Sequence, residues 1–289
     1  MVAVASAVAA CGGSGASPPD AAKLLSQTFG TNLDKIHSGN LSLSLDADLK
    51  GISTLGGKPL SLQLSGPFTD SAGPAFDFNA TVTVSGNTIP IGIISSGKAL
   101  YLELAGTDYS MPASVNSALQ RETATSSGGG PSNVLSKLGI DPSSWLTDPK
   151  VVGSATVGGV STEHLTAQVD VAQFMSDALK VVSSNANLAG GSTGELGSIN
   201  PTAVASAVKS AQVDIYSGAS DSILREFRLA VSFVVPQGFQ SKLGGLTGGS
   251  LDLDATITNL NAPETIKAPS SAKPFSSLLG GGGSLLPGL

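Results

Sequence analysis

The chain has few of the residues that carry most enzyme and metal chemistry. It contains one cysteine, Cys11, and two histidines, His37 and His164, among 289 residues. A single cysteine excludes a disulfide framework within the chain and a zinc site built from several thiolates. Aromatic residues make up 4% of the chain and charged residues 12%, about half the usual charged share.

Positive charge is also scarce. The chain has 15 Lys and Arg against 21 Asp and Glu, a net charge of −6 and a pI near 4.8. Without a basic block, this balance argues against nucleic-acid binding. No apolar run reaches the roughly 20 residues that a membrane-spanning helix needs. Apolar residues nevertheless make up 40% of the chain, which is enough for the core of a single domain.

The surroundings of Cys11 suggest a role for it. Residues 1–10 are uncharged and mostly small or apolar, which is typical of the end of a signal peptide. Val8, Ala9 and Ala10 precede Cys11 in the lipobox pattern of bacterial lipoproteins, in which the cysteine thiol carries a diacylglycerol. A lone cysteine is often a small buried hydrophobe, but the Gly/Ser/Pro-rich residues that follow favour an exposed tether. We therefore expect a covalent diacylglycerol on Cys11 that anchors the chain to the cell membrane on its extracytoplasmic side.

Strict alternation of apolar and polar residues predicts two groups of antiparallel strands. In the first strand Leu41, Leu43 and Leu45 face one side, whereas Ser42 and Ser44 face the other. Gly-containing turns separate the successive strands. The first group comprises 40–50, 59–65, 76–84, 88–95 and 98–104, and the second comprises 150–157, 160–169, 212–217, 222–235 and 249–259.

Helical patterns surround these strands. A helix is predicted at AAKLLSQTF, helix and loop over 108–148 with a short helix carrying Trp145, a helix after Asp170 that bears Phe174 and Leu179, and another after Asn200. The leucines of the first strand should face the helix with Phe174. The predicted fold is α+β: a curved, mostly antiparallel sheet forms a half-barrel, and helices pack on its concave apolar face. The predicted divisions are 1–10 (signal-peptide remnant), 11–20 (flexible tether), 21–270 (one domain) and 271–289 (disordered tail).

No catalytic or metal-binding constellation is predicted. His164 alternates with Leu165 and Ala167 and should be a solvated strand histidine, and His37 should end a helical segment. The D-x-D pairs 46/48 and 252/254 alternate with leucine, which indicates a solvent-facing strand surface. No Gly-rich segment has the spacing of a phosphate-binding loop. We therefore predict a protein that is not an enzyme and needs no cofactor beyond the diacylglycerol.

The apolar strand faces are the candidate ligand site. A curved sheet lined by small aliphatic side chains and covered by helices can enclose a cavity suited to acyl chains. The same alternation is equally compatible with a filled core. The predicted cavity wall consists of Leu100, Leu102, Met175, Leu179, Phe227, Leu229, Val231 and Phe233.

The order of these segments resembles a known family. After the lipobox come the helix AAKLLSQTF and the strand NLSLSLDADLKG, then KALYLELAGTDYS, VGSATVGGVSTEHLTAQVDVAQFM and the closing NAPETIKAPSSA. Together they are similar to the actinobacterial LppX/LprA/LprF/LprG lipoproteins over about residues 25–265. The resemblance implies a half-barrel like that of the LolA/LolB carriers. It also implies that the cavity binds an acylated lipid or lipoglycan for transfer across the cell envelope.

Two functions are therefore predicted. The first is a lipid-binding lipoprotein, whose partners would be the acylated lipid or lipoglycan and the outer face of the cytoplasmic membrane, with a membrane exporter as a further partner to consider. The alternative is a surface-tethered structural or protein-interaction module with a filled core and no ligand.

Overall fold

The fold is built on one sheet whose strands follow the alternating segments. A computed structural model describes residues 19–70, 74–124, 142–174, 176, 207–241 and 244–279. The helices are α1 (Ala21–Phe29), α2 (Ala113–Ala124) and the four-residue helices Pro142–Trp145, Gln237–Gln240 and Ser276–Leu279. The strands are β1 (Ser38–Lys50), β2 (Leu60–Thr69), β3 (Ala75–Val84), β4 (Asn87–Ser96), β5 (Leu100–Leu104), β6 (Thr107–Ser110), β7 (Leu146–Val157), β8 (Val160–Val169), β9 (Val208–Gly218), β10 (Leu224–Val234), β11 (Gly248–Thr258) and β12 (Lys273–Pro274).

All twelve strands belong to a single open, curved sheet. Their order is β12-β6-β5-β4-β3-β2-β1-β11-β10-β9-β8-β7. Among the described residues, every pair of neighbouring strands is antiparallel except β12 with β6, which is parallel. The predicted α+β class with a curved, mostly antiparallel sheet is thus confirmed. The pairing of β1 with β11 joins the two predicted groups of strands edge to edge.

Two segments differ from the prediction. Residues 107–110 form β6, although the stretch from 108 onward was expected to be helix and loop. The reason is the turn at Ala105 and Gly106, with φ of 49° and 73°, which folds β6 back onto β5. At the other end of the chain, β12 pairs with β6 and Ser276–Leu279 forms a helical turn. Backbone hydrogen bonding therefore continues past residue 270, where the domain was expected to end.

Helix α1 packs against the β7–β9 region of the sheet. The Asp20 carboxylate caps its first turn by accepting from the amides of Ala22 and Lys23 at 3.0 and 3.1 Å. Leu24 and Leu25 face the sheet and are buried. At the last turn, Phe29 meets Phe227 of β10 edge to face at 6.2 Å between ring centroids.

The buried cluster beneath α1 is the main core of the described residues. It contains Leu24, Leu25, Trp145, Leu146, Leu165, Ala167, Val213 and Ile215. Leu165, Val213 and Ile215 are 0% exposed, and Phe174 stacks edge to face on Trp145 at 5.2 Å. Asn32, beyond α1, donates to the carbonyls of Asp221 and Ser222 in the β9–β10 turn. Helix α1 therefore runs from Trp145 towards that turn.

The predicted helix after Asp170 begins as expected. Residues 171–174 are helical, and the amide of Gln173 donates to the Asp170 carboxylate at 3.0 Å. Its continuation through Met175 and Leu179, and the helix predicted after Asn200, lie outside the described residues. Over the part of the chain described here, no helix has the length and apolarity to cross a membrane.

Candidate ligand-binding face

The pairing register aligns the apolar residues of successive strands into rows on one face of the sheet. The first row runs from β7 to β5 through Val151, Leu165, Ile215, Phe227, Ala255, Leu43, Leu64, Ala80, Ile91 and Leu104. The second row lies two residues along each strand and contains Ala167, Val213, Leu229, Leu253, Leu45, Leu62, Val82 and Ile89. We call the side of the sheet on which these two rows lie the apolar face.

The side chains of the apolar face are apolar throughout, but their burial changes from one part of the face to another. Beneath α1 the side chains of Leu165 and Val213 are completely buried. From β11 to β5 most residues of the two rows are half-buried, including Leu43 and Leu64. At a strand spacing of about 4.8 Å, the five steps from β11 to β5 cover about 24 Å along the sheet. The face therefore has a tightly packed part under α1 and a longer part where the aliphatic side chains keep some access to solvent.

The face assignment of β1 agrees with the prediction. Leu41, Leu43 and Leu45 lie on the apolar face, against which Phe174 packs further along the sheet. Ser42 is exposed and Ser44 is half-buried on the opposite face. The alternation in the sequence therefore placed these side chains correctly.

The six predicted wall residues on strands share the apolar face but not one location. Phe227, Leu229, Val231 and Phe233 lie along β10, while Leu100 and Leu102 lie on β5. Five strands separate β5 from β10. Phe227 and Leu229 pack against the buried cluster under α1. The remaining predicted residues, Met175, Leu179 and the lipid-attachment residue Cys11, lie outside the described residues.

One face assignment in β10 was wrong. Strict alternation along 222–235 predicts that Arg225 shares a face with Phe227, but the register with β9 shifts between Leu224 and Glu226. This β-bulge makes Leu224 the residue that packs with the buried cluster. The Arg225 guanidinium instead donates to Asp221 at 2.6 Å and to the Ile223 carbonyl at 3.0 Å. A bulge depends on the pairing partner, so strict alternation along the sequence could not reveal it.

The opposite face carries a polar cluster that the sequence did not predict. His164 of β8 lies 2.7 Å from the Asp214 carboxylate and stacks on Tyr216 of β9 at 4.5 Å. The Arg228 guanidinium lies 5.3 Å from the centre of the Tyr216 ring. It also donates to Asp254 of β11 at 2.9 Å and pairs with Glu226. His164 is therefore a partly buried member of a network across four strands, and not the solvated residue expected from alternation.

Burial changes the acid–base properties of two members of this cluster. It raises the pKa of Glu226, an effect that the Arg228 charge opposes and the Asp254 carboxylate reinforces. It also raises the pKa of Tyr216, again against the opposing charge of Arg228. Among the described residues, no Ser, Thr or Cys hydrogen-bonds to His164, and no group of three or more His, Cys, Asp and Glu could hold a metal ion. The cluster thus forms a cross-strand polar network, without the nucleophile–base pair that hydrolytic catalysis needs.

The other histidine takes part in a simpler contact. His37 follows the single helical turn Leu33–Lys35, as the helix-end prediction implied, and is exposed. Its Nδ1 lies 3.1 Å from the Asp70 carboxylate. An exposed pair of this kind contributes little to stability.

Comparisons with known proteins give matches in structure and not in sequence. No protein-family model and no curated protein matches the sequence. The structure of LprF from Mycobacterium bovis matches 89% of this chain and 100% of its own, with 16% identity and a TM-score of 0.47. That of the lipoprotein LppX from Mycobacterium tuberculosis matches 85% and 98%, with 13% identity and a TM-score of 0.41. LprF and LppX are both members of the family that the sequence resembles. A further match is MucB in complex with MucA, with 10% identity and a TM-score of 0.28.

Proposed function

We propose that this chain is an extracytoplasmic lipoprotein that binds an acylated lipid or lipoglycan on its apolar face and takes part in moving it across the cell envelope. A diacylglycerol on Cys11 would hold the chain at the cell membrane, and the bound lipid would be cargo. The proposal contains no catalytic step and no cofactor. An exporter partner stays a prediction from the family resemblance.

The half-buried part of the apolar face carries the proposal. The row that is fully buried at Leu165 continues through Leu43, Leu64, Ile91 and Leu104. From β11 to β5 the side chains are therefore as apolar as those of the core, but they remain only half-buried. Each methylene group removed from water makes the free energy of binding more favourable by about 0.8 kcal/mol. An acyl chain lying across these strands would bury its own methylene groups and would also cover the leucine side chains.

The distribution of polar groups supports an acyl chain over a compact polar ligand. The two rows contain only aliphatic residues and Phe227, while the charged cluster around Arg228 lies on the other side of the sheet. A polar metabolite needs a few hydrogen-bonding groups to orient it within an apolar pocket. An acyl chain needs none.

The test is to identify the bound lipid and then to place a charge on the face that is proposed to bind it. The full chain, expressed in a bacterium with its lipoprotein-processing enzymes and extracted gently from the membrane, is analysed by native mass spectrometry. We expect a mass beyond that of the anchored protein that dissociates as a lipid. Leu64→Asp should abolish this added mass while the protein stays folded, because a carboxylate at a half-buried position keeps contact with water.

Ser65→Asp is the matched control, since Ser65 is exposed on the opposite face of the same strand. It should retain the lipid. Leu229→Asp is a less suitable probe, because Leu229 packs against the buried cluster and a charge there would test folding. A parent protein that carries no lipid, combined with a Leu64→Asp variant that does not fold, would contradict the proposal and favour the filled-core module.

A further inference from the structure

One end of the sheet gathers exposed apolar side chains and lysines. Four hairpin loops lie there: 51–59, 85–86, 105–106 and 235–247, which connect β1 to β2, β3 to β4, β5 to β6 and β10 to β11. We call it the Lys50 end, after the last residue of β1. None of the four loops contains an Asp or a Glu in its sequence.

Two large apolar side chains are unusually exposed at the Lys50 end. Val234, the last residue of β10, is 50% exposed, and Phe239 in the following loop is 45% exposed. They are two of the four large hydrophobic residues that are exposed in the described part of the chain. A phenylalanine and a valine that both face solvent beside one loop form an apolar contact surface at the edge of the domain.

Hydrogen bonds hold the loop that presents Phe239. The Phe239 amide donates to the Pro236 carbonyl at 2.9 Å, and the side chain of Gln240 donates to the Val235 carbonyl at 3.0 Å. The loop is also bound to β1, because the Thr247 amide donates to the Lys50 carbonyl at 2.8 Å. Phe239 therefore lies in a loop that hydrogen bonds hold in place and that is joined to β1 at Lys50.

The charges around this surface are positive at the loops. Lys50 and Lys58 are exposed, and so is Lys209 near the start of β9, which pairs with the end of β10. The carboxylates Asp48 and Asp170 are also exposed at this end, on or directly after strands, as are Lys50 and Lys209; the four loops themselves carry lysine and no carboxylate. In a chain with a net charge of −6, a lysine-bearing end of this kind suits an anionic surface.

The loops at the opposite end have a different composition. Those at 70–74 and 219–223 carry Asp70 and Asp221, and the turn at 97–99 carries Lys98. Val160, the first residue of β8, is 38% exposed there. Exposed apolar residues alone therefore do not distinguish the two ends. The Lys50 end differs because its exposed apolar residues occur together with lysines, in loops that contain no acidic residue.

The course of α1 places the start of the described chain towards the Lys50 end. Its last turn packs on Phe227, and Asn32 bonds to the β9–β10 turn at the opposite end, so its first turn near Trp145 points back towards the Lys50 end. Cys11 precedes Asp20 by nine residues, and nine residues span at most about 30 Å. An anchor on Cys11 would therefore bring this end of the sheet near the membrane.

We propose that the Lys50 end is a membrane-contacting surface: Phe239 and Val234 insert between anionic lipid headgroups, and Lys50, Lys58 and Lys209 bind the headgroup phosphates. The orientation rests on the lipid anchor of the proposed function, whereas the surface itself does not need the anchor. Contact between this surface and the membrane would orient the sheet with its hairpin loops towards the bilayer. A bound lipid would then have a short path between the membrane and the apolar face.

The test uses the full chain with Cys11→Ser, so that no anchor masks the weaker contact. Its sedimentation is measured with vesicles of phosphatidylcholine alone and with about a third of phosphatidylglycerol added, at low salt and at about 0.5 M salt. We expect binding only to the anionic vesicles and only at low salt. Lys50→Ser should lower the partition coefficient about fivefold, and the double variant with Lys58→Ser about 25-fold. Phe239→Ser should lower it about fivefold.

The opposite end supplies the matched controls, since Lys98→Ser and Val160→Ser change the same kinds of residue there and should leave vesicle binding unchanged. A second readout uses the Cys11→Ser chain, in which an introduced cysteine is the sole labelling site. An environment-sensitive dye at Phe239→Cys should shift to the blue on anionic vesicles, and one at Val160→Cys should not.

Absent binding to anionic vesicles, or equal losses at both ends, would overturn the membrane-contacting surface. The lipid-cargo measurement of the preceding subsection separates the two proposals. Cargo without vesicle binding leaves the carrier function intact and refutes this surface. Vesicle binding that depends on Phe239, in a chain that carries no lipid, supports this surface and refutes the carrier.

Discussion

Leu165→Ala and Leu64→Ala form the sharpest pair of substitutions, because both residues lie in the same row of the apolar face. Leu165 is 0% exposed beneath α1 and pairs with Ile215, whereas Leu64 is half-buried between Leu43 and Ala80. Each substitution removes three carbons, worth about 0.8 kcal/mol apiece when fully buried. A closed cavity at Leu165 raises the loss of unfolding free energy to about 3–4 kcal/mol. At Leu64 water already reaches the side chain, so we expect about 1 kcal/mol.

Urea unfolding of the lipid-free protein, followed by tryptophan fluorescence, measures both losses. Trp145 is the only tryptophan and lies in the buried cluster, so it reports the packed part directly. The dependence of stability on urea should stay the same in both variants, so that the midpoints can be compared. Equal losses of about 3 kcal/mol at both positions would show that the face is closely packed throughout, and would refute an acyl-binding surface between β11 and β5.

Three further predictions concern other parts of the molecule. Thr28→Val removes a 2.7 Å hydroxyl contact between α1 and the buried Ser217, and it should lower the free energy of unfolding in urea by about 1–3 kcal/mol. If the unpaired Ser217 hydroxyl causes this loss, adding Ser217→Ala should restore much of it. Because burial raises the pKa of Glu226, the stability of the parent falls as pH rises through that pKa, while glutamine does not titrate. The melting temperature of Glu226→Gln relative to the parent should therefore increase from about pH 4 to about pH 8, and a difference that stays constant over this range would contradict the argument. Cys11→Ala should release the chain from the membrane fraction or leave it unprocessed, and a membrane-bound protein of mature size would contradict the lipid anchor.

Local patterns in the sequence were sufficient for ten of the twelve strands and for most of their faces. Alternation has a period of two in every strand, so the apolar side of β1 could be assigned from Leu41, Leu43 and Leu45 without knowing its neighbours. Glycine-containing turns then separated one strand from the next. The α+β class and the antiparallel meander from β1 to β5 follow from these local signals, as does the cap that Asp170 supplies to the helix after it.

The lateral order of distant strands could be decided only by tertiary structure. The pairing of β1 with β11, which joins the two groups, brings together residues about 200 positions apart, and no periodic pattern specifies such a partner. The polar cluster has the same origin, because His164, Tyr216, Arg228 and Asp254 come from four strands. The bulge at Arg225 likewise depends on the register with β9.

The existence of an apolar face follows from local sequence, because each strand carries its own alternation of aliphatic and polar residues. Which part of that face is buried depends on the tertiary structure. Docking of α1 seals Leu165 and Ile215, while the same row remains half-buried at Leu43 and Leu64. Burial is a property of what packs on a side chain, and a residue such as Leu64 has the same local sequence pattern whether a helix, a lipid or water lies above it.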